Sequence, residues 1–110
     1  MEVTISTRHC SVPEAIRNQS LARLQRLQRF NPRVLAATVA FTTDGSDRVM
    51  DIRLTMKGGS PVLGHGQGPT FRTALDRAID RLQAQLKRRN NRHRSRRAHR
   101  LGYPVEANTA

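Results

Sequence analysis

At 110 residues the chain has room for one compact domain and no second core. Hydrophobic residues make up 36%, with no Trp, one Tyr and three Phe, so the core is expected to rest on Leu, Ile, Val and Ala. Twenty Lys and Arg against eight Asp and Glu give a net charge of +12, which calls for a polyanionic partner; a single cysteine rules out an internal disulfide or a Cys-based metal cluster, and no apolar run approaches the ~18 residues of a membrane span.

Residues 2–9 alternate, with Val3, Ile5 and Thr7 on one side and Thr4, Ser6 and Arg8 on the other, which predicts a half-buried strand. Ser11 then offers an N-cap, with Pro13 in the first turn and Glu14 at the capping-box position. The helix that follows carries Val12, Ile16, Leu24 and Leu27 at helical spacing with Ser20 tolerated between them, flanked by Leu21 and Phe30, and stops near Asn31-Pro32. Residues 34–42 predict a second strand, with Leu35, Ala37, Val39 and Phe41 on one face. The turn-forming residues 43–47 come next. In the return strand Met50, Ile52, Leu54 and Met56 alternate with Val49, Asp51, Arg53 and Thr55, giving one core face and one wet face. Lys57-Gly58-Gly59-Ser60-Pro61 makes the next turn, and residues 62–67 read as a short edge strand weakened by glycine. From about Thr70 a second helix presents Phe71, Ala74, Leu75, Ala78, Ile79, Leu82 and Leu86 as one stripe.

The predicted fold class is α+β, a two-layer sandwich of order β-α-β-β-β-α. Its four-stranded mixed sheet has two helices on one face, and a right-handed parallel crossover joins the first two strands. Residues 1–89 are expected to form this domain and residues 90–110 a disordered, Arg-rich C-terminal tail. The charge is divided in the same way. Residues 1–86 hold 12 cations and 7 acids, net +5, while residues 87–110 hold 8 cations and 1 acid, net +7.

Eighteen of the twenty cations are Arg, whose planar fork grips phosphate bidentately and stacks on bases. A compositional bias toward Arg explains the preference over Lys but not the shortage of acids. On the second helix Arg77, Arg81 and Arg88 fall within about 40° of one another, off the apolar stripe, and Asp76 and Asp80 are expected to pair with Arg72 or Lys87. On the first helix only Glu14 opposes Arg17, Arg23, Arg26 and Arg29. The expected RNA-binding residues are Arg17, Arg23, Arg26, Arg77, Arg81, Lys87, Arg88, Arg89 and Arg92. Aromatic residues suited to base stacking are scarce, so shape and backbone are expected to dominate recognition.

Enzymatic chemistry finds no support in the pattern. His9 and Cys10, as strand neighbours, point to opposite faces with no acid to complete a triad. The run Gly64-His65-Gly66-Gln67-Gly68 lacks the Lys-Ser/Thr ending of a P-loop. His65, His93 and His99 are too scattered for a metal site. No catalytic residue, metal, cofactor or small-molecule substrate is expected.

The second helix, with Ala74-Leu75-Asp76 followed by Ala78-Ile79-Asp80-Arg81-Leu82-Gln83-Ala84-Gln85-Leu86, resembles the ribosome hibernation-promoting factor family, also called ribosome-associated inhibitor A or protein Y. Pro13-Glu14-Ala15-Ile16-Arg17, Arg23, Arg26-Leu27, Phe30 and Lys57-Gly58-Gly59 add to the resemblance, which covers residues 2 to about 90. It departs at Thr70 and Arg72, where the family commonly has Asp and Tyr, and at Ala84, where it has a cation. The resemblance implies a sandwich like that of double-stranded RNA-binding domains. It also implies a partner in the small ribosomal subunit and its rRNA, bound in the channel of mRNA and the A- and P-site tRNAs, with inhibition of translation under stress or stationary phase. As a short form without the dimerising C-terminal domain, the chain is expected to be cytoplasmic, free of membranes and monomeric off the ribosome. A general RNA-binding protein or RNA chaperone acting on structured RNA is the alternative.

Overall fold

The computed structural model describes the backbone of residues 1–100 and the side chains of residues 1–91. Its elements are β1 (Glu2–Thr7), α1 (Glu14–Phe30), β2 (Val34–Asp44), β3 (Asp47–Met56), β4 (Val62–Gly68) and α2 (Phe71–Arg100). The sheet order is β1-β2-β3-β4, with β1 parallel to β2 and the other pairs antiparallel. This is the expected α+β sandwich: α2 packs over β4 and β3, and α1 over β2 and along α2.

Local chemistry moves several boundaries. β1 ends at Thr7 because the chain turns at His9, whose φ of 57° lies in the left-handed region. His9 and Cys10 are therefore not strand neighbours, and the Cys10 thiol donates to the Phe41 carbonyl at 3.4 Å. The expected Ser11 capping box does not form. Pro13 is the N-cap residue, with no side-chain cap, and its carbonyl accepts from the Ile16 and Arg17 amides at 3.0 and 3.2 Å. With the helix starting at Glu14, Ser11 lies outside the cap position. At the other end Asn31 closes α1 twice, through its backbone N–H to Gln28 and its Nδ2 to the Leu27 carbonyl.

β2 carries a bulge. Val34 pairs with Met56 and Ala36 with Thr55, so Leu35 is the extra residue. The bulge breaks strict alternation, seating Val34 in the core and leaving Leu35 49% exposed, contrary to the expectation that Leu35 joins Ala37, Val39 and Phe41. Val49, expected on the wet face of β3, is buried between Thr42 and Gln67 yet stands outside the core cluster.

The core joins Leu24 and Leu27 of α1, Val39 and Phe41 of β2, Met50, Ile52 and Leu54 of β3, and the α2 stripe from Phe71 to Leu86. Phe41 and Phe71 meet edge to face at 5.4 Å between centroids. Ser20, fully buried on α1, turns its hydroxyl back to the Ile16 carbonyl at 2.7 Å, so no polar atom is left bare.

The glycines of β4 form the floor beneath α2. A Cβ on Gly66 would stand 1.9 Å from the Ala74 carbonyl oxygen, and one on Gly64 2.7 Å from that of Ala78. The helix backbone therefore rests directly on the strand, with Ala74 and Ala78 facing the bare positions. α2 then continues past its last core residue, Leu86, to Arg100. The remainder of the expected tail, residues 101–110, lies outside the described residues.

Candidate nucleic-acid interface

The expected RNA-binding cations of the two helices fall into three structural situations. Arg23, Arg77 and Arg89 are held by the fold. Arg23 bonds Asp76 across α1 and α2, which replaces the expected pairing of Asp76 with Arg72 or Lys87. Both partners are more than a third exposed, so this bridge contributes little net stability. Arg77 donates to the Gln67 carbonyl. Arg89 donates to the Ser60 carbonyl and, at 3.1 and 3.0 Å, to the Ser60 hydroxyl and the Pro61 carbonyl.

These contacts have a common logic. β4 is an edge strand, and its outward carbonyls lack a neighbouring strand. Gln85 caps the Leu63 carbonyl and Arg77 that of Gln67, while Arg89 secures the turn leading into the strand. α2 thus covers the edge that its glycine floor leaves open.

Arg17, Arg26, Arg81, Lys87 and Arg88 are exposed and, among the described residues, take part in no ion pair or side-chain hydrogen bond. The side chain of Arg92 lies outside the described residues. Arg26 and Arg23 border a groove between α1 and α2 that continues to Lys87, passing Phe30, Asn31 and Gln83. Arg81 and Arg77 face the β4 side, where they line a depression of about 370 Å³ with His65, Gln67 and Asp80. Arg17 stands apart, six residues or about 120° around α1 from Arg23. The structure therefore brings Arg23, Arg26 and Lys87 together around one groove and Arg77 and Arg81 along one edge; Arg17 and Arg89 join neither group.

Sequence reasoning placed Phe30 beside the core stripe, but it is 70% exposed, on the last turn of α1. Phe30 lies 60° around the helix from Leu27 and 120° from Leu24, at the margin of the stripe, on the last turn before α1 ends at Asn31. Asn90 has no signal in the sequence pattern. Its Nδ2 donates to Asn31 Oδ1 at 3.2 Å, linking α2 to the end of α1 beneath the groove. On the opposite face of the sheet, His65 Nδ1 and Asp51 Oδ1 lie 2.6 Å apart in solvent. No group of three or more potential metal ligands occurs among the described residues.

Such a surface is suited to holding phosphates. It offers unengaged guanidinium and ammonium groups on two packed helices, with no acid lining the groove and Asp76 already paired with Arg23.

A family model described as sigma 54 modulation protein / S30EA ribosomal protein matches residues 3–94. Among solved structures the chain is similar to the N-terminal domain of Thermus thermophilus protein Y, with a TM-score of 0.70 and 30% identity over 80% of this chain and 98% of that one. It shares its fold with a ribosomal subunit interface protein from Coxiella burnetii, with a TM-score of 0.76 and 15% identity over 83% of this chain and 99% of that one. No curated protein matches.

Proposed function

The chain belongs to the sigma 54 modulation protein / S30EA ribosomal protein family, and we propose that it is a hibernation factor that silences idle ribosomes. In this reading it binds rRNA of the small subunit in the channel that mRNA and the A- and P-site tRNAs use. It inhibits translation under stress or in stationary phase by occupying that space, without catalysis. The observation that carries this is the set of exposed cations on α1 and α2, free of partners among the described residues and mounted on a domain whose family is ribosomal. The protein acts in the cytoplasm and is monomeric off the ribosome; the side chains of α2 that cap carbonyls of β4 close one of the two edges of the sheet to pairing with a second copy.

The test is translation in a purified system with increasing amounts of the full chain. Inhibition that initiator tRNA relieves in proportion to its concentration is the expected result. Undiminished translation at saturating protein, or inhibition indifferent to tRNA, refutes occupancy of the channel.

A second reading, a general binder of structured RNA, draws on the eight cations of residues 87–100, which no acid accompanies. It predicts equal affinity for naked duplex RNA and for ribosomes. The hibernation reading predicts a clear preference for the small subunit.

A further inference from the structure

Three large apolar side chains are exposed among the described residues, Phe30, Leu35 and Leu63, and Phe30 is the most exposed and the only aromatic one. The other two phenylalanines, Phe41 and Phe71, are in the core. Phe30 is left out because it sits on the last turn of α1, at the margin of the stripe formed by Ser20, Leu24 and Leu27. Its ring instead stands where the groove between the helices divides into two depressions, of about 360 and about 310 Å³, and it lines both. Arg26 borders one and Lys87 the other, and no acid lines either.

A bare aromatic face on a surface of this charge is a poor site for an acidic or neutral protein to select by shape, because the cations would have to be desolvated around it. A nucleotide meets both halves of the chemistry at once. Its phosphates sit against Arg26 and Lys87, and its base lies flat on the ring, a contact open to every base because each has a π-face. Two amides adjoin the ring: Gln83 is exposed on α2, and Asn31, half-buried, is held in place by its bonds to Leu27 and Asn90. They offer donors and acceptors to a base edge. Duplex RNA keeps its bases stacked inside, so only an unpaired nucleotide can use the ring.

We infer that Phe30 is a stacking platform for an unpaired nucleotide held in the groove between α1 and α2. The inference rests on the reading that this two-helix surface binds RNA, and adds to it a contact made to a base rather than to backbone. Recognition dominated by shape and backbone, as the sequence predicts, then carries one base contact at this position.

The test uses the full chain with a short single-stranded RNA and with an oligomer of the same length and phosphate count in which every base is removed. The parent is expected to prefer the base-bearing strand. Phe30→Ala should lower that affinity about tenfold, to the level of the abasic strand, with the salt dependence and the circular dichroism spectrum unchanged, because the ring buries little. Phe30→Tyr should restore the preference. Equal binding of both strands by the parent, or an unaltered preference in Phe30→Ala, overturns the stacking role while leaving phosphate binding intact and points to a protein contact instead. Failure of the parent to bind either strand overturns the stacking role, and the RNA reading falls with it only if the parent also fails to bind small ribosomal subunits.

Discussion

Arg88 and Arg89 are sequence neighbours of identical type, yet the fold gives them opposite tasks. The guanidinium of Arg89 is spent on the turn before β4, with three hydrogen bonds to Ser60 and Pro61, while Arg88 is exposed and unengaged among the described residues. Arg89→Ala should therefore cost about 1 kcal/mol of stability, a fall in Tm of roughly 4–8 °C for a domain of this size, readable by thermal denaturation. Arg88→Ala should leave Tm unchanged but weaken RNA binding at all sequences, and lower the salt slope by about one unit. Nothing in the residue types separates the two. Position around the helix does, since one more residue is 100° of rotation toward or away from the sheet. Sequence reasoning could thus find the basic run but not divide it, because the division depends on which carbonyls of the edge strand lack partners.

At the scale of elements, the packing of α2 on β4 is the least forgiving contact. Gly66→Ala places a methyl inside the contact distance of the Ala74 carbonyl and Ala78 amide, both of them backbone atoms that cannot rotate away. The variant should lose about 3 kcal/mol or more, seen as a lower urea midpoint, and should uncover the β4 edge as the helix is displaced. The strands and both helices were legible from periodicity, because residues 50–56 and 71–86 each bury one unbroken face. The glycine run was legible only as a weak strand. Its actual purpose needs the partner helix, although Ala74 and Ala78, four residues apart, were a signal of close approach. The bulge at Leu35 had no such signal, since it arises from the pairing of Val34 with Met56 across the sheet. Likewise Phe30 fitted the pattern of a flank and became a surface ring because α1 ends there.

For the whole molecule, the proposed function makes binding a sum of charges placed on a two-helix frame. Among the expected RNA-binding residues, the five unengaged cations Arg17, Arg26, Arg81, Lys87 and Arg88, at roughly 0.7–0.9 counterions released per phosphate, give a slope of about −4 for log affinity against log salt, before any contribution from residues 92–110. Reversing Arg26, Arg81 and Lys87 to Glu touches none of the contacts that hold the fold, so the variant should fold with an unchanged circular dichroism spectrum. The most direct measurement is co-sedimentation of the full chain with purified small ribosomal subunits, parent beside this triple variant, at low and at raised salt. The account predicts that the parent pellets with the subunits at low salt and is released as salt rises, and that the variant stays in the supernatant throughout. A parent that remains in the supernatant at low salt, or a folded triple variant that pellets as well as the parent, would contradict it.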